Sequence, residues 1–215
     1  MTKVNRITPE QIRQTNRHLI YSYIYDHEDG QVSQQDISRD LRMSRPTVAS
    51  NLSAMEKEGL IFRSGLIDAD VPGRRPVTWS VSSCHKIAMG VEILKHVVKI
   101  IAIDLYGNNL KWVMFPSEYE NNARYYEAVS LKVKEFIESL DVENACGKIL
   151  GIGFALQGLV SEDGTTVIYG EILKCTGLKI DVFTRWLDYP CKFVHEPDGA
   201  AVSELWVSPE LENAV

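Results

Sequence analysis

Between positions 8 and 57 apolar residues recur three times at helical spacing, each time behind a polar starting residue. In "TPEQIRQTNRHLIYSYIYDHE", Thr8 is placed to cap a helix, with Pro9 and Glu10 in its first turn. Ile12, Leu19, Ile20, Tyr23 and Ile24 predict one apolar face, and Gly30 is the expected stop. A second start follows at "SQQDISRDLRM", where Ser33 and Asp36 form a capping-box pattern with Asp in place of Glu or Gln, and Ile37 and Leu41 point inward. A tight turn at Met43 leads to "SRPTVASNLSAMEKEGLI". There Ser44 caps, Pro46 sits in the first turn, and Val48, Leu52 and Met55 face the core. Thr47, Ser50 and Asn51 are left outward, with Arg45 at the start of the helix.

The pattern then changes. Leu60 to Arg63 and Val77 to Val81 read as strands flanking a segment rich in Gly, Pro and Arg, which predicts a hairpin with a long tip. Beyond Cys84, "KIAMGVEI", "VVKIIAIDLYGNNL" and "KWVMFPSEY" read as successive strands. "NARYYEAVSLKVKEFIESLD" places Tyr126, Val129, Val133, Phe136 and Ile137 on one helical face. "KILGIGFALQGLV", "TTVIYG" and "CKFVHE" supply further extended runs, "IDVFTRWLD" a short amphipathic helix, and "GAAVSELW" the beginning of another. Strands interleaved with crossover helices predict α/β architecture with a mixed sheet. The expected domains are 8–83, a winged helix-turn-helix, and 86–215, the α/β unit.

Composition adds three points. The chain carries a net charge of −6, but residues 1–83 hold 11 Lys and Arg against 10 Asp and Glu, and the remainder 12 against 19. An anion-binding surface is therefore expected in the first part. The four cysteines, Cys84, Cys146, Cys175 and Cys191, show no CxxC pairing and read as buried reduced thiols. No apolar run approaches the ~20 residues of a membrane span and the N-terminus lacks a secretory h-region, so a cytoplasmic protein without a membrane partner is expected.

Two short helices joined by a tight turn, the second carrying small polar residues, have the chemistry a major groove requires. Base contacts are assigned to Thr47, Ser50 and Asn51. Phosphate contacts go to Arg39, Arg42, Ser44 and Arg45, together with the helix N-termini. Arg74 and Arg75, between Gly73 and Pro76, form a cationic tip suited to a minor groove. A three-helix module that binds protein, with a solvated charged loop, has the same local pattern and stays open.

The order of "SQQDISRDLRMSRPTVASNL", the Gly-Arg-Arg-Pro tip, "GVEILKHVVKIIAIDLYGNNL", "ILGIGFALQGLVSEDGTTV" and "HEPDGAAVSELW" resembles the ROK family of sugar-responsive repressors and sugar kinases. The resemblance covers essentially the whole chain. It implies an actin-like, ribonuclease H-like sugar-kinase lobe behind the winged helix, and a sequence-specific regulator of carbohydrate genes, expected to repress. Its partners would be an operator duplex, a sugar or sugar-phosphate effector, and a second copy of the chain. The chain stops at "SPELENAV", where the family's second lobe is expected to begin. That implies an incomplete lobe with half a sugar cleft, whether as a truncated product, a fragment or a short form.

The alternative implied by the family is a degenerate sugar kinase with an appended helical module. Family kinases carry Asp-x-Gly-Gly-Thr after the first strand, where this chain has Glu92, Leu94, Lys95 and His96. Only glycine lets backbone amides close on a phosphate there. Aligned on the family's Glu-Asn-Asp-Ala-Asn segment, Glu196 replaces the base Asp, His195 the first Asn, Pro197 the Ala and Asp198 the second Asn. His195, Glu196 and Asp198 are accordingly expected to hydrogen-bond a sugar rather than perform catalysis, with no cofactor and no metal.

Overall fold

Thr8 starts the first helix of the computed structural model, which describes residues 8–28, 32–66, 76–197 and 199. Its hydroxyl accepts the Gln11 N–H at 3.2 Å while the Gln11 side chain accepts the Thr8 N–H at 2.8 Å, closing a capping box at the head of α1 (Pro9–Tyr25). Only Ile20 and Ile24 of the expected apolar face are buried; Ile12 and Leu19 are 50% and 43% exposed. The buried stripe is confined to the C-terminal half because that half alone packs on the rest of the unit. The helix ends at Tyr25 with the Asp26 N–H on the Ser22 carbonyl, ahead of Gly30, which lies outside the described residues.

Strand β1 (Val32–Ser33) was not legible in the pattern, since two residues carry no periodicity. Ser33 ends it and caps α2 (Gln34–Asp40), and the Ser33–Asp36 box closes as expected, Asp36 accepting the Ser33 N–H at 3.2 Å. Helix α3 (Arg45–Lys57) buries Val48, Leu52 and Met55. Strands β2 (Ile61–Leu66) and β3 (Val77–Val81) pair antiparallel with a bulge between Arg63 and Gly65, and β1 adds to β3 through Val32↔Trp79. The wing strands are thus present, while the tip at 67–75, with Arg74 and Arg75, lies outside the described residues.

The Tyr23 hydroxyl ties α1 to the end of α2 by donating to the Asp40 carboxylate at 2.6 Å. The Arg39 guanidinium, then Tyr23, holds Asp40 down from 3.8 to about 2. Asp40, then burial, raises Tyr23 from 10.0 to about 12. Asp40 is depressed in the folded state, so its contribution is complete above its unfolded value and is lost as pH falls from about 4 to about 2. Tyr23 is raised, so its contribution is present below 10 and is lost as pH climbs toward 12. Tyr23→Phe is expected to shrink both arms of a stability-against-pH profile measured by urea unfolding, and an unchanged acid arm would dissociate this bond from acid sensitivity.

The chain divides into two units, Met1–His85 and Lys86–Val215. In the second, β4 (Ile87–Ile93), β5 (Val97–Ile103) and β6 (Asn109–Pro116) form an antiparallel meander. Then come α4 (Ala123–Glu138), α5 (Ala145–Lys148), β7 (Ile149–Leu156), β8 (Leu159–Val160), β9 (Val167–Tyr169), α6 (Asp181–Thr184) and β10 (Cys191–His195). The five-stranded sheet has the order β10-β7-β4-β5-β6, with β4, β7 and β10 parallel. It is mixed, as the alternation of elements predicted.

Alternation along the strands puts Val91, Ile100, Phe154 and Phe193 in the core, which also takes in Tyr126, Val129, Val133, Phe136 and Ile137 of α4. Phe183 of α6 stacks on Phe154 with ring centroids 3.9 Å apart. Cys175 is buried, but Cys84 and Cys191 are half-buried, correcting the expectation of buried thiols; each of the three is free. Burial raises the Cys191 thiol to about 11. Among the described residues no helix is long and apolar enough to cross a membrane.

Candidate nucleic-acid interface and ligand pocket

Opposite the buried Val48–Leu52–Met55 stripe, α3 exposes Ser50. Thr47 and Asn51, expected to be outward, are half-buried. The Asn51 amide turns back along the helix and donates to the Thr47 carbonyl at 2.8 Å, because a short amide one turn on can reach the preceding turn. With one amide N–H on that carbonyl, Asn51 keeps its second N–H and its side-chain oxygen for a base. Ser44 spends its hydroxyl on the cap, accepting the Thr47 N–H at 3.3 Å and lying 2.8 Å from the Thr47 hydroxyl.

The cations differ in availability. Arg39 is engaged by two carboxylates, Asp40 at 2.7 Å and Asp36 at 3.0 Å. Arg45 is exposed at the first position of α3. Arg42 is exposed in the turn between α2 and α3, where its backbone takes a left-handed conformation with φ of 52°. A side chain there costs about 1–2 kcal/mol relative to the right-handed region, and glycine escapes that cost at the expense of unfolded-state entropy. Arg42→Gly is expected to stabilise the N-terminal unit by about 0.5 kcal/mol, read as a higher urea midpoint, while weakening duplex binding. A fall in stability would mean that the side chain supports the turn.

In the second unit, the turn joining β4 and β5 occupies the place compared above with the kinase phosphate loop. The Leu94 N–H bonds the Val97 carbonyl at 3.0 Å, and the Lys95 and His96 carbonyls accept from Tyr119 and Ser117 at 2.9 and 3.0 Å. Glu92 is paired with Lys99 at 2.6 Å, and His96 lies 2.8 Å from Glu118. A turn flanked by two carboxylates is a poor cradle for a polyphosphate.

His195 and Glu196, at the end of β10, do share a cavity of about 300 Å³. It is completed by Gln157, Gly158 and Leu159 after β7, and by Tyr169, Glu171 and Ile172 after β9. Gly158 is required by close approach, since a β-carbon there would lie 2.7 Å from the Tyr169 carbonyl. Carboxylates, an amide and an imidazole above apolar Leu159 and Ile172 form a lining that suits a polyhydroxylated ring. Gln157, Tyr169 and Glu171 are not legible from local spacing because strand pairing assembles them: β7–β10 sets Leu156 opposite His195, and β8–β9 sets Tyr169 opposite Leu159. Asp198 lies outside the described residues.

Residues 13–61 match the winged helix-turn-helix DNA-binding family. A crystal structure described as a ROK family transcriptional regulator, a homologue of the E. coli MLC protein, superposes with a TM-score of 0.61 at 18% identity. That likeness spans 90% of this chain and 48% of the other. That likeness is one of fold. Curated sequences are similar as well: the xylose repressor of Caldicellulosiruptor bescii (strain ATCC BAA-1888 / DSM 6725 / KCTC 15123 / Z-1320) is 24% identical over 209 residues, covering 91% of this chain and 48% of its own. A similarly named protein of Caldicellulosiruptor sp. (strain Rt8B.4) is 26% identical over 199 residues, with the same coverage. The chain spans about half the length of the curated relatives it matches.

Proposed function

We propose that this chain is a sequence-specific DNA-binding regulator that represses carbohydrate genes, with the α/β unit sensing a sugar. The observation that carries the reading is α3, which buries Val48, Leu52 and Met55 and leaves Ser50 and Arg45 at the surface beside the wing strands. Ser50, Thr47 and Asn51 would read base edges, and Arg45 and Arg42 would hold phosphates, with Arg74 and Arg75 in the adjacent minor groove. Arg39 contributes less, since Asp36 and Asp40 already neutralise it. A homodimer on a pseudo-palindromic site would supply the specificity one small module lacks. The names of the xylose-repressor relatives support repression and a sugar effector.

The sugar would enter the cavity at His195 and Glu196, with Asp198 beside them in sequence, and its occupancy would alter DNA affinity. The Glu92 and Glu118 carboxylates beside the β4–β5 turn favour this reading over the sugar kinase, whose nucleotide phosphates they would repel. Selection of bound duplexes from a random pool, with and without a panel of sugars and sugar phosphates, tests both halves. Enrichment of a symmetric motif that a sugar disperses is the expected outcome. ATP-dependent phosphorylation of a hexose, lost in Glu196→Gln, would favour the kinase.

A further inference from the structure

A polar cleft of about 550 Å³ opens in the N-terminal unit between the first residues of α2 and α3 and the wing strands. Its floor is Trp79, only 7% exposed, and its rim carries Gln34, Gln35, Arg45 and Arg63. Arg63 stands 5.4 Å over the Trp79 ring and is gripped in bidentate fashion by Glu56, at 2.9 and 3.2 Å. Its guanidinium is therefore set in one place, stacked on an aromatic face and braced by a carboxylate. On the other side, the Gln34 amide donates to the Arg45 carbonyl at 3.1 Å and ties the head of α2 to the head of α3. Among the described residues, Arg45 has no carboxylate within ion-pair distance.

The geometry points to this cleft as the seat of a DNA phosphodiester, with Arg63 a second phosphate-binding cation opposite Arg45. The inference rests on the DNA-binding reading and extends it to residues for which local sequence offered no role. A duplex that engages α3 and the wing together must carry one backbone strand across the space between them, and that space is the cleft. The position of Arg63 immediately ahead of the β2 bulge, where the strand twists, directs it to this rim. Glu56 holds Arg63 ready at partial neutralisation and competes with the phosphate for it. An open cleft of this size suits a continuous backbone better than a free phosphate ion.

The experiment is a duplex titration of the full chain over a range of salt concentrations, using a site selected from the random pool. One phosphate contact carries a slope of about 0.9 in log K against log salt, about eightfold in affinity per tenfold dilution. Arg63→Ala is expected to lower the slope by part of that 0.9, because Glu56 already neutralises some of its charge, and to weaken all sequences alike; Arg63→Lys should keep most of the slope, and Glu56→Gln should tighten binding and steepen it. The Glu56→Gln and Arg63→Lys arms stand even if Arg63→Ala unfolds. Unchanged slope in a folded Arg63→Ala, with Ser50→Ala still altering base preference, would overturn the cleft and leave the DNA reading intact. No duplex binding by the unaltered chain would overturn both. Inorganic phosphate displacing the duplex more strongly than chloride at equal ionic strength would assign the cleft to a small phosphate ligand instead.

Discussion

The triple variant Arg45→Ala, Arg74→Ala, Arg75→Ala is expected to lose duplex affinity by two to three orders of magnitude, about 500-fold, at 0.1 M salt relative to 1 M. Each lost cationic contact to the duplex removes about 0.9 from the salt slope, so the three together remove about 2.7. The share of Arg45 should be independent of sequence, because phosphates carry no base identity, while that of Arg74 and Arg75 should follow the width of the minor groove they enter. Ser50→Ala makes the complementary measurement: a changed base preference with the slope preserved. Fluorescence anisotropy against matched and scrambled duplexes separates the two. A triple variant with wild-type affinity would remove the winged helix from DNA binding and leave the protein-interaction module as the better reading. Arg74 and Arg75 enter this prediction from their place in the Gly-Arg-Arg-Pro segment. Arg45 enters from its exposure at the head of α3.

Phe183→Ala is expected to destabilise the α/β unit by about 3–5 kcal/mol. Phe183 is fully buried, stacks on Phe154, and presents edges to Tyr126 at 5.3 Å and Phe193 at 6.3 Å. Its removal opens a void at the meeting point of α4, α6, β7 and β10, a site close-packed aromatic rings cannot refill. Urea unfolding should show the transition of the α/β unit shifted, while that of the N-terminal unit, whose core of Ile20, Ile37, Val48 and Leu52 excludes Phe183, stays in place. Phe193 lies two residues before His195 on β10, so a loss of sugar response should accompany the shift. An unmoved midpoint would show that Phe183 does not organise this core.

Helix starts were the most legible features of the sequence. Thr8, Ser33 and Ser44 each cap as their spacing demanded, because a cap is satisfied within three residues and needs nothing from the rest of the fold. Core positions were legible where burial spanned a whole element: Val48, Leu52 and Met55 on α3, and five apolar positions on α4. Ile12 and Leu19 failed because amphipathic spacing states which face is apolar, not how much of it finds a neighbour. Asn51 failed for a different reason, since a side chain free to reach solvent was also free to bond its own helix.

By itself the sequence determined local geometry, the division into a helical unit and an α/β unit, the mixed sheet, and the candidacy of Arg45, Ser50, His195 and Glu196. Only the tertiary structure decided which of these meet. It brought Gln157, Tyr169 and Glu171 to His195 across 24 to 38 residues of chain, and Arg63 to Trp79 across the wing. Spacing along a chain reports contacts only within an element, whereas a pocket or a cleft is made by strand pairing and packing between elements distant in sequence.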